Sequence, residues 1–314
     1  MAVSTPGRVM QHAGGRESME GRGGWSGRGT QQNRMMGESM RFVCAVVVGL
    51  AMAGVVGVAG AAPLRIASEG AYPPWNVVDS TGRLTGFEVE LGAELCARMK
   101  VECVFVAQEW EGIIPGLQQG KYDAIMAALM ITDERQRAIS FAGPYANEPS
   151  AFLAIANGPL AALGPAEGVI DTASDAPAAQ GALARVAAVV RGRTVGVQIS
   201  TVQAAFLAQH LPDVVVRAYP TFEAGSLDLN AGRVDALLAT RSAVEVVAKR
   251  QPGVAIVGPG LAGGLLGRGV GVGLRHSDVE LKARFDLAIA AAGADGAIRR
   301  LSEKYFGFDV SVRP

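Results

Sequence analysis

The sequence predicts an α/β fold with largely parallel sheets, on three observations. Strand-like and helix-like runs alternate from Leu64 onward, the pattern of helices layered on sheets. The 314 residues are long enough for about two domains. The composition, 49% hydrophobic and 18% charged, is that of a chain with a sizeable core.

The elements follow in order. Leu64–Ser68 is a short apolar strand. Over 89–99, Leu91, Leu95 and Met99 recur at i, i+4 and i+8, the apolar stripe of an amphipathic helix. Residues 101–106 are β-rich, and 113–119 form a short helix with Pro115 near its start, where proline is tolerated. Residues 123–128 read as a buried strand. Thr132 caps the next helix, with Asp133 and Glu134 in its first turn. Residues 158–185, rich in Ala, Gly and Pro, read as a surface insertion with little regular structure. The alternation continues through Thr194–Gln198 (strand), Val202–His210 (helix), 214–218, Phe222–Asn230, 234–239 and 242–249. Strands at 254–257 and Val270–Leu274 follow. Ser277 and Glu280 have the spacing of a capping box for a helix reaching about Ala292, and a last helix covers 297–305.

The first 61 residues read differently. Residues 1–39 are rich in Gly, Arg, Ser and Met without apolar periodicity, and are expected to be a disordered extension or a misassigned start. Met40-Arg41 precede an uncharged run over 42–62 with Ala59-Gly60-Ala61 near its end, so 40–61 reads as a signal peptide. A membrane anchor is the alternative, since the run is nearly long enough to span a bilayer. Arg41-Phe42-Val43 before Cys44 lacks the small residues of a lipoprotein site. Lys+Arg and Asp+Glu are both 29; residues 1–61 carry six Arg and three Glu, so the remainder has a net charge of −3. No basic run points to nucleic acid.

Beyond Cys44, Cys96 and Cys103 are an even pair in an exported chain. They read as a disulfide worth about 2–3 kcal/mol, with two buried thiols as the alternative. His12, His210 and His276 show no metal-ligand spacing, so no metal or cofactor is expected. Neither G-x-S-x-G nor a P-loop occurs. Gly258, Gly260 and Gly263 fit G-x-G-x-x-G, but more glycines and then a strand follow instead of a helix. That segment reads as a Gly-rich crossover.

Five stretches then accumulate: LRIASEGAYPPWNVVDSTGRLTGFEVELGAELCARMKVEC, WEGIIPGLQQGKYDAI, ITDERQRAISFAGPY, LDLNAGRVDALLA and DGAIRRLSEKYFGF. Together they resemble the polar-amino-acid family of periplasmic binding proteins over 64–157 and 191–310. The nearest subgroups are the lysine/arginine/ornithine-, histidine- and octopine/nopaline-binding proteins. The resemblance implies a type II periplasmic-binding-protein fold. Its two α/β lobes, 63–147 plus 262–314 and 148–261, are joined by two crossover strands and close on ligand by a hinge. It also implies a Cys96–Cys103 disulfide, an ABC permease in the inner membrane as partner, a periplasmic location, and a monomer without enzymatic activity. An enzyme on the same scaffold, such as a cyclohexadienyl dehydratase, is the alternative.

The resemblance also assigns a site. Arg135, in the first turn of its helix, would hold a carboxylate bidentately; a salt bridge to Asp133 is the plainer reading. Tyr72 and Trp110 resemble the aromatic pair that sandwiches the ligand side chain. Glu69 stands where basic-amino-acid receptors carry an acid. Three departures stand out. Ala127, Ala128 and Met130 fall in a stretch where many relatives have hydroxyl residues, Val202 replaces a frequent Thr or Ser, and Thr240 replaces the usual Asp for the α-ammonium. A buried ammonium without an acid costs about 3–5 kcal/mol. The expected ligand is therefore a cationic amino acid or an opine-like derivative whose nitrogen is substituted.

Overall fold

The structure is a computed structural model, and it describes residues 62–312. The expected signal peptide and extension lie outside the described residues.

One sheet has five strands in the order β5-β1-β6-β14-β7. β1 (Leu64–Ser68) runs parallel to β5 (Cys103–Ala107) and β6 (Ala124–Ile125), and β14 (Val270–Leu274) runs antiparallel to β6 and β7 (Ser140–Ala146). The second sheet, of six strands, has the order β11-β10-β12-β8-β13-β9, with β9 (Val169–Asp171) at one edge. There β10 (Thr194–Gln198) is parallel to β11 (Val215–Tyr219) and β12 (Ala236–Thr240). β8 (Ser150–Ile155) is antiparallel to β12 and to β13 (Val254–Ala262). A hairpin sheet of β2 (Ala71–Tyr72), β3 (Asn76–Val78) and β4 (Leu84–Thr85) accompanies the first. The chain passes from the first sheet to the second between β7 and β8, and returns between β13 and β14.

The expectation of largely parallel sheets is therefore corrected to mixed sheets. A strand that enters or leaves a sheet by a direct crossover needs no right-handed βαβ return and can run antiparallel. β7, β8, β13 and β14 flank these crossings, and of them β8 and β14 run against the strands on either side.

The helices are α1 (Phe87–Met99), α2 (Ile113–Gln118), α3 (Asp133–Ala138), α4 (Pro177–Val190), α5 (Val202–His210), α6 (Phe222–Asn230), α7 (Arg241–Arg250), α8 (Val279–Ala294) and α9 (Ala297–Phe306). α1 buries Leu91, Leu95 and Met99, as the spacing predicts, and ends on Lys100 in the left-handed region. The chain then turns into β5, and Cys96 and Cys103 are bonded across that turn with Cα atoms 6.2 Å apart, an ordinary span for a disulfide. Trp75 and Phe87 are fully buried and pack on Phe306 of α9, with ring centroids 5.0 and 4.8 Å away.

Two further expectations fail. Residues 158–185 are not an irregular insertion: a 3-10 turn (Pro159–Leu163), the strand β9 (Val169–Asp171) and most of α4 occupy them. α4 starts on Pro177, which suits a first helical turn, and is built largely of alanine, the best helix former. It buries only Val186 and Val190, so it has almost no apolar period to read. The capping box also fails, because Asp278 and not Ser277 caps α8, with no side-chain bond to the helix. The Ser277 hydroxyl donates to Asp278, which also pairs with Arg275 at 2.8 Å. Both side chains are thus engaged away from the helix amides.

Candidate functional site

The cleft lies at the carboxyl ends of strands from both sheets, where open α/β sheets place their ligands. From the first sheet, Glu69 and Tyr72 follow β1, Trp110 opens a turn after β5, Ala127, Ala128 and Met130 follow β6, and Arg135 belongs to α3. From the second, Val202 opens α5 after β10, and Thr240 closes β12. All nine residues predicted for the site line one cleft. Gln198, Thr201, Gln203, Phe222, Leu238 and Ala239 complete its walls. Thr201 and Phe222 begin helices after parallel strands, a position that chain order alone could have flagged. Gln198 is a polar strand end whose partner is remote in sequence.

Hydrogen bonds cross the cleft directly. Gln198 donates from Nε2 to Glu69 Oε1 at 2.6 Å. Trp110 donates from Nε1 to the Ile199 carbonyl at 2.9 Å, and Arg135 from Nη2 to the Ser200 carbonyl at 3.2 Å. Tyr72 Oη lies 2.9 Å from Thr240 Oγ1 and accepts from the Thr240 amide at 3.2 Å. Ala128 (φ 49) and Ser200 (φ 58) both adopt the left-handed region, uncommon for residues with a Cβ. The Ala128 amide is held by the buried Glu88 carboxylate at 2.7 Å, which also takes bonds from Asn76 and the Tyr145 hydroxyl. The Ser200 carbonyl receives Arg135.

The charges are unevenly placed. The Arg135 guanidinium donates to two carbonyls, Met130 at 3.0 Å and Ser200, and stands 5.2 Å over the Trp110 ring. It has no ion-pair partner among the described residues: Asp133 pairs with Arg268 instead, at 2.8 Å. Burial pushes Arg135 down to about 10, with Glu134 opposing the shift. Burial pushes Glu69 up to about 7; the Gln198 bond opposes this and Glu88 adds to it. Tyr72 meets Phe222 edge-on, with ring centroids 5.7 Å apart.

Behind Thr240 is a group the sequence reading did not single out. Glu148, between β7 and β8, is buried. Its carboxylate accepts from the Ser242 amide at 2.8 Å, the Ser242 hydroxyl at 2.7 Å and Trp75 Nε1 at 3.1 Å. Burial pushes it up to about 7 against the Ser242 and Trp75 bonds. The one available signal was an acid inside an otherwise uncharged run from Ser140 to Pro165. Among the described residues, no group of three or more His, Cys, Asp or Glu side chains could hold a metal ion.

Comparison with known proteins gives a consistent picture. The chain is 40% identical over 270 residues to the octopine-binding periplasmic protein of Rhizobium meliloti, covering 79% of this chain and 91% of that one. It is 36% identical over 257 residues to the L-arginine-binding protein of Pseudomonas aeruginosa, covering 79% and 89%. A periplasmic His/Glu/Gln/Arg/opine family-binding protein from Silicibacter pomeroyi, solved with lysine, superposes with a TM-score of 0.64 at 33% identity, covering 80% of this chain and all of that one. Residues 64–308 match the family described as bacterial extracellular solute-binding proteins, family 3, and the chain belongs to it.

Proposed function

We propose that this protein is the receptor of an ABC importer, and that it captures a cationic amino acid or an opine-like derivative in the cleft between its lobes. The observation that carries the reading is the charge pattern of the cleft. A half-buried guanidinium without an ion-pair partner among the described residues, Arg135, suits a ligand carboxylate. A half-buried carboxyl, Glu69, suits a ligand cation. The relatives that bind octopine and arginine support the same ligand class.

In this reading the lobes are 63–147 plus 262–314 and 148–261, and the two connecting segments are the hinge. Residues 40–61 direct export and are cleaved near Ala61. The protein works in the periplasm as a monomer and hands its ligand to an inner-membrane permease, with no chemistry and no cofactor. The dehydratase alternative rests on Glu69, whose shifted carboxyl is the cleft's one candidate acid or base. A thermal-shift screen against arginine, ornithine, lysine, histidine and octopine tests the receptor reading, which predicts a clear shift with at least one of them. Turnover of arogenate or prephenate without such a shift would replace it by the enzyme.

A further inference from the structure

Glu88 is a fully buried acid to which the ligand reading gives no role. It stands in the first turn of α1, where its amide donates to the Trp75 carbonyl at 2.9 Å. Its side chain joins two turns of the first wall. Oε1 accepts from the Ala128 amide at 2.7 Å and from the Tyr145 hydroxyl. Oε2 accepts from Asn76 Nδ2 at 2.7 Å. Asn76 is also fully buried, and its Oδ1 accepts from the Gly70 amide at 2.7 Å.

The direction of these links is fixed. A backbone amide only donates, so Asn76 must present Oδ1 to Gly70 and its NH2 group to Glu88. The Gly70 N–H belongs to the planar peptide unit that follows Glu69, so holding it fixes the backbone from which the Glu69 side chain departs. The Ala128 N–H belongs to the peptide between the two cleft alanines. Ala128 is left-handed although it carries a Cβ (φ 49), a conformation that persists where the surroundings impose it. Two residues on, the Met130 carbonyl accepts from Arg135 at 3.0 Å. The turn that carries Glu69 and the turn that supports Arg135 are thus tied to one buried carboxyl.

We infer that Glu88 is a positioning residue for specificity: through Asn76 and the Ala128 amide it holds Glu69 in register with the carboxylate-binding end of the cleft, and so sets the preference for a cationic ligand. The inference rests on the ligand class proposed above. A charge-assisted hydrogen bond forms at about 2.7–2.9 Å. A Glu69 turn free to shift out of that range loses the bond to a ligand cation, whereas a neutral group at the same place loses less.

The test is calorimetry at pH 8 with L-arginine and L-citrulline, which differ in the charge of the side-chain end. Glu88→Gln offers one oxygen where Glu88 uses two, and Asn76→Ala removes the link without changing any charge. Each should lower the preference for arginine over citrulline about threefold or more. The double variant Glu88→Gln with Asn76→Asp exchanges the roles. Its new amide NH2 donates to the new carboxylate, which still accepts from Gly70, and its amide oxygen keeps Ala128 and Tyr145. The preference should return to within about twofold of wild type. Should Glu88→Gln fail to fold, Asn76→Ala and the double variant carry the test. Equal weakening of both ligands would make the network merely structural and overturn the inference. So would a loss with Glu88→Gln but not with Asn76→Ala, which would trace the preference to the buried charge, and so would a double variant that does not recover. A wild type with no preference for arginine overturns the ligand reading itself, and this inference with it.

Discussion

The two walls of the cleft are built from the same kind of position, the carboxyl ends of parallel strands, yet their chemistry differs. The wall from the first sheet carries both of the cleft's charged side chains, Arg135 and Glu69, with Tyr72 and Trp110 beside them. The wall from the second sheet offers Gln198, Thr201, Gln203 and Thr240, apolar Val202, Phe222 and Leu238, and the carbonyls of Ile199 and Ser200. In the proposed function, charge recognition therefore falls to the first wall. The other supplies neutral hydrogen-bonding groups that meet the first across the cleft. A ligand with complementary charges can be recognised by the first wall before the second closes over it, which suits a hinge-closing receptor.

That division can be broken residue by residue. The largest effect should come from Arg135→Met. Removing one partner of a buried charge-assisted pair costs about 2–5 kcal/mol, or roughly thirty-fold to several-thousand-fold in affinity. Calorimetry should show that loss with the thermal midpoint nearly unchanged, since Arg135 makes no ion pair within the described protein. Tight binding by the variant would move carboxylate recognition to the other wall.

A smaller effect should appear with pH. Glu69 is held at about 7 by burial, and a ligand cation beside it would lower that value. Binding then releases a proton wherever the free carboxyl is protonated. Affinity should be full above pH 7 and fall as pH drops below it, approaching about tenfold per unit. Titrations from pH 8 to pH 5 should show this slope, and Glu69→Gln should flatten it. A slope that survives in the variant would assign the proton to Glu148. The smallest effect should follow Gln198→Ala, which removes a neutral donor from the second wall. A loss of about fivefold or less is expected, by analogy with single neutral hydrogen bonds. A loss matching that of Arg135→Met would erase the contrast between the walls.

What could be read in advance followed the range of the interactions. α1, β10, α5 and β14 were legible because apolar spacing and caps are local signals. Arg135 and Glu69 were legible because short motifs around them resemble a known family. The bond from Gln198 to Glu69 joins residues 129 positions apart, so only the apposition of the lobes reveals it. Glu148 was hidden for the same reason: its donors come from Trp75 and Ser242, on opposite sides of it in sequence. α4 escaped because alanine forms helix without leaving a buried stripe, and the capping box misled because Asp278 sits between its two members.

In the proposed function, the charged wall from the first sheet selects a cationic ligand. The most direct test titrates wild type and Glu69→Gln with arginine and with citrulline, its uncharged analogue of nearly the same shape. Wild type should prefer arginine by about tenfold or more, and the variant should lose most of this preference. Equal affinity of the wild-type protein for the two, or a preference untouched by the substitution, would contradict it.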